Sequence, residues 1–115
     1  IEATLANFET LPDGTVRPWL TLDRHMAILR AMWEQRPTDL YPKIAEPVLV
    51  CVAQDDNNPE WMAVKSKQVG SLKAGLRHST VRWFEHTDHD IHVHRPDELA
   101  TLLLETAENG IWRER

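Results

Sequence analysis

Two polar clusters in this 115-residue sequence hold the side chains best suited to chemistry. Asp55 and Asp56 follow an apolar run over 47–53, and His86, Asp88, His89 and Asp90 follow a second run over 79–85. A carboxylate that accepts a hydrogen bond from one imidazole nitrogen fixes the ring's tautomer. It also stabilises the imidazolium formed when the other nitrogen takes a proton from a nucleophile. An Asp and a His brought together can form the orienting half of a hydrolytic triad. The attacking half is not visible. No G-x-S-x-G occurs, Ser66, Ser71 and Ser79 fall in or beside a predicted helix or ahead of a strand, and Cys51 lies inside the apolar run. Four histidines within nine residues, His86, His89, His92 and His94, also admit a zinc site, which needs three or four converging ligands.

These side chains have to be positioned by the elements around them. Pro47-Val48-Leu49-Val50-Cys51-Val52-Ala53 is apolar on both faces and rich in β-branched residues, the pattern of a parallel strand covered on both sides. Ser79–Glu85 reads as a second strand. Between them, residues 59–74 read as a helix: Asn58 is a good N-cap, Pro59 suits the first helical position and Glu60 complements the dipole. Gly75 is its expected stop, and Lys65, Lys67 and Lys73 form a solvated face. Pro96 opens a last helix with Asp97 and Glu98 in its first turn, an apolar face from Leu99, Leu102 and Leu103, and an end at Asn109-Gly110. Upstream, Leu11-Pro12-Asp13-Gly14 is a turn flanked by short extended segments. Residues 22–36 read as a helix capped by Thr21, striped by Leu22, Met26, Leu29 and Trp33, and stopped by Pro37.

The order helix, strand, helix, strand, helix implies a parallel βαβ unit. The expected fold class is α/β: a partial doubly wound parallel sheet, one βαβ unit with N-terminal and C-terminal helices. Both polar loops then leave the same sheet edge, beyond the carboxyl ends of the strands, where open α/β sheets bind ligands.

Composition narrows the partners. With 13 basic and 18 acidic residues the net charge is −5, and no stretch concentrates Lys and Arg, which argues against nucleic acid. No run of 18 apolar residues is present, so no membrane span is expected. The single Cys cannot form an internal disulfide, and with no visible signal segment the default location is cytoplasmic. Five Trp residues read as core or domain-contact residues, with Trp19, Trp33 or Trp61 lining a pocket only if they face the strand ends. A two-stranded sheet is marginal. The chain is therefore expected to be a piece of a larger sheet or to need a partner, with self-association through an uncovered sheet edge.

Two blocks carry a resemblance. Pro47–Asp56 resembles the seventh strand and triad-acid loop of the α/β-hydrolase family. Thr87-Asp88-His89-Asp90-Ile91-His92-Val93-His94-Arg95-Pro96-Asp97-Glu98-Leu99 is similar to its catalytic-histidine loop and Pro-opened last helix. The likeness covers roughly 44–108, and more loosely 22–43. It implies a hairpin-like segment and a helix near a cap/core junction over 1–43, and a C-terminal core segment over 44–115.

Residue by residue, Asp56 matches the acid, nine positions after Pro47 and three after Ala53, where relatives commonly carry Gly. Asp55 is the fallback. His89 matches the general base, seven positions before Pro96. The family's chain order is nucleophile, acid, histidine; the last two are present, while the nucleophile and the oxyanion-hole loop are not. The resemblance implies the C-terminal portion of a serine-type hydrolase acting on a small-molecule carboxylic ester or related acyl bond. It implies no cofactor, and no turnover by these 115 residues alone. Two alternatives stay open: a non-catalytic α/β binding or assembly module, and a His-rich metal-binding protein.

Overall fold

The structure is a computed structural model that describes residues 2–109, in two compact units that divide between Arg36 and Pro37. In the first unit a short helix α1 (Glu2–Leu5) precedes a hairpin of β1 (Phe8–Thr10) and β2 (Val16–Pro18). The two strands are antiparallel, with Phe8 opposite Pro18 and Thr10 opposite Val16. The turn falls where Pro12 and Gly14 predict it. Gly14 takes φ +82, a backbone region that glycine enters without steric cost. The Asp13 carboxylate accepts hydrogen bonds from the Thr15 hydroxyl and N–H, and these hold its pKa below the ordinary value.

Helix α2 runs Leu22–Glu34, two residues short of the expected end at Arg36. The residue before a proline is disfavoured in helical conformation, and the chain is already extended at Gln35. Thr21 caps the helix by position, but its side chain makes no capping hydrogen bond. The apolar stripe is exposed: Leu22 is 72% accessible and Trp33 90%. Trp33 is thus not a core residue. So short a unit has little chain with which to enclose one.

The second unit opens with two 3₁₀ turns, Pro37–Asp39 and Tyr41–Lys43, and then enters β3 (Val48–Ala53), α3 (Pro59–Gly75) and β4 (Ser79–Phe84). Strands β3 and β4 are parallel, in register from Val48 opposite Ser79 to Ala53 opposite Phe84. The start of α3 follows the sequence signals. The Asn58 side-chain oxygen accepts the Trp61 N–H at 3.0 Å, and Pro59 takes the first turn, where its missing donor costs nothing. The helix ends at Gly75, though not through a left-handed cap, since Leu76 is extended. Gly75 lies against Tyr41, so closely that a Cβ there would meet the ring carbon Cδ2 at 2.8 Å.

After β4 the structure departs from a simple loop. A four-residue helix α4 (Ile91–His94) precedes α5 (Pro96–Glu108). Ile91 is the reason: it is buried, and with Ala53 and Phe84 it forms the core, against which Cys51, Leu99 and Leu102 pack. Asn109 caps α5; the expected stop at Gly110 lies outside the described residues. Burial of the β3 run on both faces is realised only at its carboxyl end. Val52 and Ala53 are buried, while Val48 to Cys51 are half-buried. One strand neighbour covers one edge. Partial burial of Cys51 nevertheless pushes its thiol pKa up.

Candidate active site

The β3–β4 register decides which loop residues meet. Ala53 stands opposite Phe84, so Asp56 lies three residues beyond the paired ends and His86 two. The ladder continues past the strands, because the Gln54 N–H donates to the Phe84 carbonyl at 2.9 Å and the Thr87 N–H to the Gln54 carbonyl at 3.1 Å. Thr87 is buried. Its hydroxyl donates to the Glu85 carbonyl and accepts from Arg95 Nε. Lys65 reaches back from α3 and donates to the Ala53 carbonyl at 2.6 Å. It therefore fastens the end of β3 rather than standing wholly in solvent, as its place on a charged face suggested.

The two aspartates are no longer equivalent. Asp55 Oδ1 accepts the Asn57 N–H at 2.9 Å and the Asn57 side-chain amide at 3.0 Å, a local turn of the kind Asp side chains favour. Asp56 Oδ1 accepts from Gln54 Nε2 at 2.9 Å, and Asp56 Oδ2 contacts His86 Nδ1. Of the two, Asp56 is the carboxylate that meets an imidazole.

The structure brings Asp56 and His86 together, and it places His89 elsewhere in the same loop. The His89 side chain is exposed and makes no hydrogen bond among the described residues; its carbonyl accepts the Ile91 N–H at 3.0 Å. His86 adopts φ +52, the left-handed region, which is uncommon for residues other than glycine, though less so for His. The sequence carries no signal that His86 meets Asp56, since a single left-handed residue is invisible in composition or spacing. Between the two loops lies a cavity of about 360 Å³, walled by Asp55 and Asp56 on one side and by His86, Asp88, His94 and Arg95 on the other. His94 Nε2 stands 3.8 Å from Asp88 Oδ2, so the cavity is bordered by two imidazole–carboxylate pairs and one guanidinium. Trp61 is not part of its wall.

Among the described residues no group of three His, Cys, Asp or Glu side chains is placed to hold a metal ion, and no helix is long and apolar enough to cross a membrane. A parallel βαβ unit with polar loops gathered at the carboxyl ends of its strands is part of an α/β fold. Comparison with known families completes the assignment: the alpha/beta hydrolase family matches residues 2–102, and the chain belongs to that family. Searches of curated proteins and of solved structures return no match.

Proposed function

We propose that the chain supplies the triad acid and the general base of a serine-type hydrolase acting on a carboxylic ester or related acyl bond of a small molecule. The observation that supports this is the posture of Asp56, with one carboxylate oxygen held by Gln54 and the other turned across to the histidine loop after β4. In this reading Asp56 orients His89. His89 takes the proton of the attacking hydroxyl and later returns it to the leaving group. The His89 side chain is exposed. The nucleophile comes from other residues, because no G-x-S-x-G or equivalent elbow occurs in the sequence. The unpaired Cys51 fits a reducing compartment such as the cytoplasm.

The test has two arms. The purified chain is expected to leave a p-nitrophenyl ester unhydrolysed. Joined to a strand and G-x-S-x-G segment of this family, it is expected to hydrolyse the ester, with loss of turnover in His89→Ala and a fall of about 10⁴-fold in Asp56→Asn, as for other triad acids. Hydrolysis by the chain alone that disappears in His89→Ala would overturn the division of the triad. Turnover of the joined enzyme that survives His89→Ala would overturn the assignment of the base.

A second reading, a non-catalytic assembly module, is favoured by one observation. The apolar strand β3 has a single neighbour among the described residues and is half-buried over Val48 to Cys51. The same hydrolysis assay separates the two.

A further inference from the structure

The acid of this site is already occupied, and by a different histidine. Asp56 Oδ1 is taken by Gln54 and Asp56 Oδ2 by His86 Nδ1, so neither carboxylate oxygen is engaged by His89. The partner choice follows from how the loop is pinned. Thr87 sits between the two histidines, is 3% accessible, and is tied through its N–H to Gln54 and through its hydroxyl to Glu85. That anchor holds His86, whose backbone is left-handed, on the Asp56 side, where its largely exposed ring meets the carboxylate. It leaves His89 beyond the anchor in the exposed stretch before α4.

We propose that His86 is a positioning residue for the acid: it holds Asp56 aimed at the histidine loop in the resting arrangement, where it competes with His89 for Oδ2. This deepens the hydrolase reading above and rests on it. The other charged groups around the cavity that His86 borders are Asp55, Asp88, His94 and Arg95. Among the described residues, the ion pair the structure records for His94 is with Asp88, and the ion pair it records for Arg95 is with Glu98. Neither competes for Asp56.

The ring tautomer reads the contact directly, because an acceptor at Nδ1 fixes the proton on that nitrogen. Long-range ¹H–¹⁵N spectra of the full chain at neutral pH are expected to show His86 as the Nδ1–H form and His89 as the Nε2–H form of a solvated imidazole. Asp56→Ala is expected to return His86 to the Nε2–H form. His86→Gly removes the ring and accepts φ +52 without steric cost; in it His89 is expected to move to the Nδ1–H form. A parent chain with His89 already Nδ1–H, or with His86 unaffected by Asp56→Ala, overturns the proposal. So does a His86→Gly chain in which His89 does not respond. These spectra report hydrogen bonding and not turnover. Failure of the hydrolase reading would instead appear as a joined enzyme without ester hydrolysis, whatever the tautomers show.

Discussion

Helix α3, which joins β3 to β4, contains two glycines in opposite surroundings, and the same substitution at each should move stability in opposite directions. Gly70 is exposed and has nothing within 4 Å of where a Cβ would stand. Gly70→Ala there removes a helix penalty of about 1 kcal/mol and adds no contact. At Gly75 the new methyl would lie 2.8 Å from Tyr41 Cδ2, 2.9 Å from Tyr41 Cβ and 3.3 Å from Tyr41 Cγ. The Cβ and Cγ atoms stand close to the backbone and cannot swing away as a side-chain tip can, so one of the 3₁₀ turn and the helix end has to shift. Overpacking of this kind costs about 1–3 kcal/mol. The compensating propensity gain is below about 1 kcal/mol, because Gly75 is the final helical residue and terminal positions realise less of it.

The expected result is a gain of about 1 kcal/mol for Gly70→Ala, a loss of about 1 kcal/mol for Gly75→Ala, and a separation near 2 kcal/mol. That separation corresponds to roughly 8–16 °C in melting temperature for a small domain. Urea unfolding of the full chain, followed by far-UV circular dichroism and by protection of α3 amides, reads both. Tyr41→Gly, which removes the Cβ as well as the ring, should lower the cost of Gly75→Ala, as a coupled pair does. Equal shifts of the same sign at the two glycines, or no coupling between positions 41 and 75, would refute the packing argument.

Three further outcomes follow from the core, the thiol and the sheet edge. Phe84 is 3% accessible at the centre of the Ala53–Ile91 cluster, and Phe84→Ala is expected to cost about 3–5 kcal/mol. A urea midpoint within experimental error of the parent would show that the core lies elsewhere. Burial raises the Cys51 thiol, so its thiolate fraction near pH 8 is below that of a free cysteine. Iodoacetamide should label it more slowly in the native chain than in urea, and equal rates would contradict the burial. The sign of the linkage is that of a raised acid: the stability contribution is full below the ordinary thiol value and is lost as pH rises through the raised one. Lastly, β3 has one strand partner among the described residues, and its other edge is a pairing template. Sedimentation is expected to show concentration-dependent association with binding of a hydrophobic dye, both reduced in Val50→Lys. A monomer that unfolds cooperatively and binds no dye would rule this out.

Much of the fold was legible because it is written in short-range signals. The β-branched run over 48–53, the Asn58-Pro59-Glu60 start and Pro96 each act on their own few residues, so the βαβ order and its parallel sense follow from local preference and connection rules alone. Helix α4 was not legible. Four residues carry too little periodicity to announce a helix, and what holds it is the burial of Ile91 against Ala53 and Phe84, residues separated from it in sequence. The exposed stripe of α2 is the converse case: its spacing marks a helix but says nothing about what covers the apolar face.

The site divides along the same line. The sequence by itself determined that an aspartate loop and a histidine loop follow the two strands, that they leave one edge of a parallel pair, and that no nucleophile elbow accompanies them. Residue type and chain order suffice for that. Tertiary structure alone decided that Asp56 and not Asp55 faces an imidazole, and that the imidazole is His86. Those choices turn on the Ala53–Phe84 register, on the buried Thr87 that pins the loop, and on one left-handed residue. Each is a consequence of strands meeting across the intervening helix, and no local pattern of residues encodes it.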